Sequence, residues 1–318
     1  MHSAEEGEVS DHFDGQRFVN PSGTAGQPFT RVPRMLSERR TPWPQHVDVA
    51  MQTPPALGDA AAAVTFVGHS TFLIQTPGGN LLTDPMFSNR AGPFGVLGPR
   101  RVRQPAIRFD ELPPIGTVLL SHNHYDHCDL PTLRKLARRF DPTVVTPLGN
   151  ARLVRSAGIR RVEEMDWWDQ RAVGALSITL TPAQHFSART PFDRNRALWA
   201  GFVMRFGDRR IYFAGDTAYA SFFRDIGQRF GPFDLALLPI GAYEPRWFMH
   251  VVHMNPAEAV QAHLDLGGPD TIGMHFGTFQ LTGEGIDAPI RDLEEARKTN
   301  GVPPSRFRVL EFGESMHL

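Results

Sequence analysis

From Val64 to the C-terminus, short apolar runs alternate with Gly-, Pro- and Asp-containing turns, the pattern expected of strands buried on at least one face. Val64-Thr65-Phe66-Val67, Phe72-Leu73-Ile74-Gln75 and Asn80-Leu81-Leu82-Thr83 are separated by Gly68 and by Pro77-Gly78-Gly79, and read as a meander. Further strands are expected at residues 117–121, 177–181, 198–206, 210–214, 234–239, 271–274 and 307–312. Residues 130–140 carry Leu130, Leu133, Leu136, Ala137 and Phe140 on one helical face and Arg134, Lys135, Arg138 and Arg139 on the other, which predicts an amphipathic helix. A second helix is expected at 256–266. Asn255 is its N-cap, Pro256 its first residue, Glu258 the partner in a capping box, and Gly267-Gly268 its stop. A third is expected at 290–299. Strands and helices in both halves imply two sheets packed face to face between outer helices.

Residues 1 to about 60 break this pattern. Pro21, Pro28, Pro33, Pro42, Pro44, Pro54 and Pro55 interrupt regular structure, so an extended segment is expected to wrap a domain over 61–318. The start, Met1-His2-Ser3-Ala4-Glu5-Glu6, is polar and acidic, which argues against a secretory signal.

Composition narrows the chemistry. With 318 residues, 41% of them hydrophobic, the chain can bury a sizeable core. A net charge of -1 supplies no global basic field, so nucleic acid is not an expected partner. Cys128 is the only cysteine, which excludes an intrachain disulfide and a cysteine-built metal cluster, and suits a cytoplasmic setting. No apolar run is long enough to span a bilayer, so any membrane contact is expected to be peripheral, at the inner surface.

Four segments share one layout, an apolar strand followed by a metal-competent residue. Val118-Leu119-Leu120-Ser121 leads to His122, His124, Asp126 and His127; residues 178–180 lead to His185, 211–214 to Asp216, and 271–274 to His275. Seven nitrogen and oxygen donors exceed what one zinc ion takes. They fit two ions, with His122, His124 and His185 on the first, Asp126, His127 and His275 on the second, and Asp216 bridging. The donor set favours zinc, with iron or manganese as alternatives. Such a pair activates a shared water for hydrolysis.

The motifs Gly68-His69-Ser70-Thr71, Leu82-Thr83-Asp84-Pro85, Ser121-His122-Asn123-His124-Tyr125-Asp126-His127 and Asp166-Trp167-Trp168 resemble the metallo-β-lactamase fold superfamily. So do Pro182-Ala183-Gln184-His185, Phe213-Ala214-Gly215-Asp216-Thr217, the stretch from Leu238 to Met249, and His275-Phe276-Gly277-Thr278-Phe279. Within it, the pattern is most similar to the N-acylphosphatidylethanolamine-hydrolysing phospholipase D family and its bacterial relatives, with a fainter echo at His12-Phe13-Asp14-Gly15. The resemblance implies an αββα sandwich (α/β, α+β class), a dinuclear zinc centre, a phospholipid-like substrate cleaved at a phosphodiester, and a homodimer as one allowed assembly. By position it implies a phosphate contact for His253 and substrate-lining places for Tyr125 and Ala188. Ala188 stands where the mammalian enzyme has a longer basic residue, Phe276 where a tryptophan is common, and Ser70 where an alanine is.

Plainer readings apply elsewhere. His69 is expected to make a structural hydrogen bond, and Asp84 either to orient a ligand histidine or to serve its turn. Cys128, Trp167, Trp168, Trp247 and Phe248 are expected to pack, and His250 and His263 to be ordinary surface or core residues. Arg100-Arg101-Val102-Arg103 reads as a solvated loop or, alternatively, as a headgroup contact. The rival functions are a lactonase or carboxylic-ester hydrolase using the same two ions, and a binding module in which metal serves stability alone.

Overall fold

A computed structural model describes residues 9–23, 26–58 and 62–318; the acidic start of the chain and the boundary expected near residue 60 lie outside the described residues. After a short helix, α1 (Val32–Ser37), the first sheet-forming half contains β1 (Ala63–Gly68), β2 (Thr71–Thr76), β3 (Gly79–Thr83) and β4 (Ile115–Leu119). It continues with α2 (Leu130–Arg139), β5 (Thr143–Pro147), α3 (Ala151–Arg155) and β6 (Arg161–Met165). The second half contains β7 (Gln170–Val173), β8 (Leu176–Thr181), β9 (Gly201–Phe206), β10 (Arg209–Phe213), α4 (Phe222–Phe230), β11 (Leu235–Pro239) and α5 (Arg246–Met249). It ends with α6 (Pro256–Asp265), β12 (Asp270–Met274), α7 (Ala288–Thr299), β13 (Phe307–Arg308) and β14 (Ser315–His317).

The two sheets have matching plans. One runs β14-β1-β2-β3-β4-β5-β6 and the other β13-β12-β11-β10-β9-β8-β7. Pairing in each is antiparallel among its hairpin strands and parallel beyond β3 or β10. Side-chain alternation decides the layering. Phe66, Phe72, Ile74, Leu81, Leu119 and Val145 enter a core shared with Phe202, Phe213, Leu237 and Met274 of the second sheet. Their neighbours Val67, Leu73, Leu82, Val118 and Val144 point the other way, against Leu133 and Leu136 of α2 and Val154 of α3. Beyond the second sheet, α4, α6 and α7 contribute Phe223, Val260 and Leu293. The result is the αββα sandwich. Phe66 shows what holds it: fully buried, it lies against Phe72, Phe276 and Phe312 with ring centroids 5.1, 5.7 and 4.9 Å away. Burying one such ring contributes about 1.5–3 kcal/mol.

Several expectations need correction. The proline-rich segment does contain a helix, α1, because Pro33 falls in its first turn, where no backbone N–H is needed. The strand expected at 198–206 begins at Gly201, since Leu198 and Ala200 donate their N–H groups across the molecule to Leu148 and Ser121 carbonyls. The strand expected at 307–312 stops at Arg308. The chain then turns at Glu311, whose N–H is held by Glu314, and Gly313 N–H bonds Phe66 as the chain crosses to pair β14 with β1. The patterns of β5, β6, β7 and β14, and of α3 and α5, escape a reading by apolar runs because the elements are short and, in β7, largely exposed; the nine-residue α4 escapes it as well. Arg101 is neither solvated nor free for a headgroup. It is buried, donates to the Met86 and Ser88 carbonyls, and lies 4.7 Å from the Phe279 ring centroid.

The N-terminal segment clips onto the body at discrete places. Phe18 N–H bonds Asn195, Val47 N–H bonds Val102, and Gln52 N–H bonds Ala106. His12 is a further clip, with Nε2 2.7 Å from Asp166 Oδ1, Nδ1 2.5 Å from Asp11 Oδ1, and its ring stacked 4.4 Å from Trp167. Burial works against a charged imidazole here, but hydrogen bonds donated to the Asp166 and Asp11 carboxylates outweigh it and raise the pKa above 6.5. The stabilisation is therefore fully present below the ordinary histidine value and is lost as pH rises through the raised one. His12→Ala is expected to cost roughly 1–2 kcal/mol in acid and less in alkali, checked by urea unfolding on either side of that range; an equal cost at both would show that the charge contributes nothing.

Candidate metal centre

The site lies along the edge where parallel strands end. Asp84 follows β3, Ser121 and His122 follow β4, Asp216 follows β10 and His275 follows β12. After β4 the chain makes a tight turn in which His127 and Cys128 N–H both reach the His124 carbonyl, so His122, His124, Asp126 and His127 gather on one side. Gly215, at φ 61°, passes so close to Ser121 that a β-carbon would stand 2.7 Å from the Ser121 Cβ, which lets Asp216 enter the cluster. His69, Asp84 and His275 also have positive φ (59°, 32° and 61°), a disfavoured backbone state for side-chain-bearing residues.

Outer partners decide which nitrogen of each imidazole carries the proton. The Ser121 hydroxyl donates to Asp84 Oδ2 at 2.6 Å, so at 2.9 Å it must accept from His122 Nδ1–H. His185 Nδ1–H donates to the Val252 carbonyl at 2.8 Å, and His127 Nδ1–H to Asp84 Oδ2 at 2.7 Å. A neutral imidazole has one N–H, so His122 and His185 present a bare Nε2 lone pair inward, and His127 turns its Nε2 the same way, where a cation would take the place of the proton that its carboxylate neighbours favour. His122 Nε2 and His185 Nε2 face His124 Nδ1 at 2.9 and 3.2 Å. Burial first, and neighbouring histidines next, push His124 down to about 3 and hold His122 well below the ordinary range. Burial likewise brings His185 to about 4. These three nitrogens are a neutral, convergent donor set.

The second group is built on carboxylates. Asp126 Oδ2 lies 3.3 Å from His127 Nε2, 3.3 Å from His275 Nε2 and 3.0 Å from His69 Nε2. Asp216 Oδ2 lies 3.1 Å from both His127 Nε2 and His275 Nε2, and 3.9 Å from His185 Nε2. It therefore stands between the two groups. Burial opposes charge on these groups, yet the Asp216 and Asp126 carboxylates raise His275 to about 9 and His127 well above its ordinary value. Both carboxyls are held well below theirs, against burial, chiefly by His127. Three buried carboxylates, Asp84 included, thus call for positive charge where the inward nitrogens converge. A divalent cation supplies that charge and uses the lone pairs. His127 Nε2 and Asp216 Oδ1, both buried, have no hydrogen-bond partner among the described residues. The donor set fits metal ions.

All seven sequence-identified donors therefore come together. His253 joins them: it is buried, with Nε2 4.0 Å from Asp216 Oδ2 and its ring 4.9 Å from that of His185. Tyr125 is half-buried and donates its hydroxyl to the Arg189 carbonyl, while the Arg189 guanidinium lies 3.8 Å from the Tyr125 ring centroid. Ala188, also half-buried, is the residue before Arg189. Asp84 fills both roles considered for it, orienting His127 and receiving the Ser121 N–H at its turn. Cys128 packs in the core beneath α2, and His263 is buried with Nδ1 at Thr271 Oγ1.

Sequence reasoning missed Asn20. Its amide donates to the His185 carbonyl at 2.9 Å and accepts the His185 N–H at 3.0 Å, so the N-terminal segment fixes a donor of the centre. It also missed Arg189, which donates to the Asn123 and Cys128 carbonyls and braces the metal-motif turn. No motif flags either residue; their partners are far away along the chain.

The chain is similar to known proteins. Residues 79–276 match the family described as the beta-lactamase superfamily domain. An uncharacterized protein of Mycobacterium tuberculosis is 41% identical over 262 residues, spanning 79% of this chain and 70% of its own length. N-acyl-phosphatidylethanolamine-hydrolyzing phospholipase D 1 of Caenorhabditis elegans is 35% identical over 266 residues, covering 79% of this chain and 74% of the worm protein. In three dimensions a metallo hydrolase of the archaeon Ignicoccus hospitalis superposes with a TM-score of 0.61 over 81% of this chain and 98% of its own, at 22% identity, a likeness of fold. The chain belongs to the beta-lactamase superfamily and, within it, to the family that includes the worm phospholipase D.

Proposed function

We propose that the chain is a zinc-dependent phosphodiesterase of phospholipase D type, acting on N-acylphosphatidylethanolamine-like phospholipids. The observation that carries the reading is the pair of adjoining donor groups, one of neutral imidazoles and one of carboxylates, with Asp216 between them. The worm relative's name supports the lipid phosphodiester. Two zinc ions held there would lower the pKa of a water and stabilise charge on both sides of the reacting phosphorus; iron or manganese suits the same donors.

The side chains have separable tasks. His122, His124 and His185 would hold one ion; Asp126, His127 and His275 the other; Asp216 would bind both. His69 Nε2–H donates to Asp126 Oδ2 and keeps that carboxylate turned inward. Asp84 and Ser121 fix the tautomers of His127 and His122. His253, whose Nε2 faces the centre 4.0 Å from Asp216 Oδ2, would donate from that nitrogen to a substrate phosphate oxygen. Tyr125 and Ala188 would line the approach, where the Arg189 cation favours an anionic substrate.

Asp216→Ala is expected to abolish turnover of bis-p-nitrophenyl phosphate and to lower the metal content measured by atomic spectroscopy. Unchanged activity would remove the bridging role. Asp84→Asn is expected to keep the fold but weaken zinc binding by roughly 10–100-fold, read by competition with a chromogenic chelator; wild-type affinity would show that the orienting bond is dispensable. Substrate class is tested by comparing lipid and model phosphodiesters with lactones, and hydrolysis of lactones alone would overturn the phosphodiesterase reading.

A further inference from the structure

Large apolar side chains are left in solvent at two loops, and both loops are anchored to the metal-motif segment. Phe94 is 83% exposed, Val96 64%, Leu97 59% and Phe192 82%. The first three stand at the tip of a braced loop. Its neck is closed by Ala91 N–H on the Pro99 carbonyl and by Arg90 Nη1 on the Gly98 carbonyl. Gly92 and Gly98 pass so near the opposite strand of the neck that a β-carbon on either would fall 2.2 Å from a carbonyl oxygen. At the tip, Val96 and Leu97 N–H both bond Pro93. Phe94 sits at φ 58°, a backbone state that bulky residues avoid, and buries almost nothing in return. The side chains are thus held out by a built structure.

The surroundings are cationic. No Asp or Glu occurs from Pro85 to Phe109, whereas Arg90 and Arg100 do; Arg108 is paired with Glu111 at 3.3 Å. The loop rests on the first turn of α2: a β-carbon on Gly95 would stand 3.4 Å from Pro131 Cγ. The solvent face of α2 carries Arg134, Lys135, Arg138 and Arg139, all exposed, and no acidic residue. Phe192 is three residues after Arg189, whose guanidinium holds the Cys128 carbonyl while Ser88, near the other loop, holds the adjacent Asp129, so both loops are tied to one turn.

We propose that Phe94, Val96, Leu97 and Phe192 form a contact with an anionic lipid surface, the apolar tips entering the acyl boundary and the α2 cations meeting the headgroups. A second copy fits less well, since a self-matched contact would set this cationic patch against itself. The attachment stands by itself; that it presents lipid to the metal centre rests on the phospholipase reading.

Co-sedimentation of the full-length, zinc-loaded protein with phosphatidylglycerol–phosphatidylcholine vesicles tests it, with pure phosphatidylcholine vesicles for comparison. Binding is expected to the anionic vesicles, to fall with salt, and to weaken roughly tenfold or more in the Phe94→Ser/Leu97→Ser variant. Turnover of soluble bis-p-nitrophenyl phosphate should be unchanged in that variant, which also shows that it folds. Arg134→Gln/Arg138→Gln is expected to weaken binding to the anionic vesicles alone. No binding by the wild type, or equal binding by the double serine variant, overturns the proposal; so does self-association of the wild type by light scattering that the double serine variant loses while it still binds vesicles. Tip-dependent binding without lipid cleavage supports this surface and overturns the phospholipase reading. Cleavage of detergent-dispersed lipid without vesicle binding does the reverse.

Discussion

The chemistry of this molecule depends on where the protons of its buried imidazoles sit. Ser121, Asp84 and the Val252 carbonyl each take an Nδ1–H, which aims the Nε2 atoms of His122, His127 and His185 at a common interior. Nothing in the first coordination set could achieve this alone, because an unconstrained imidazole exchanges tautomers and rotates. The carboxylates complete the device. Asp126 and Asp216 are buried beside those lone pairs, and their negative charge is tolerable there only with cationic partners.

The fold supplies this arrangement through its repeated plan. Each sheet passes from antiparallel hairpins to parallel strands, and the ends of β3, β4, β10 and β12 meet along one edge. Backbone strain and close approach concentrate at the same place: Gly215 yields space beside Ser121, and His69 and His275 adopt positive φ while bonded to each other through the His275 N–H and the His69 carbonyl. The cost is carried by the apolar layers on either side of the sheets, where Phe66, Phe72, Phe202 and Phe213 are fully buried.

The donor residues were readable in the sequence because strand periodicity marks where strands end, and four strand ends each carried a histidine or aspartate. The capping box of α6 was equally readable, as Asn255 and Glu258 exchange bonds within three residues. What could not be read depends on long-range contact. Asn20 clamps His185 across 165 positions, and Arg101 is buried although it sits in the most basic run of the chain. Short edge strands such as β7, with mostly exposed residues, have no alternation to betray them. Arg189 looks like any loop arginine until the turn it braces is seen.

The central claim is that the inward-facing nitrogens and the buried carboxylates hold two cations per chain, with Asp216 shared. The most direct measurement is the zinc content of the purified wild-type chain after saturation and exhaustive gel filtration, by mass spectrometry against protein concentration from amino-acid analysis. Two tightly held ions per chain are predicted. One ion or none would contradict the account.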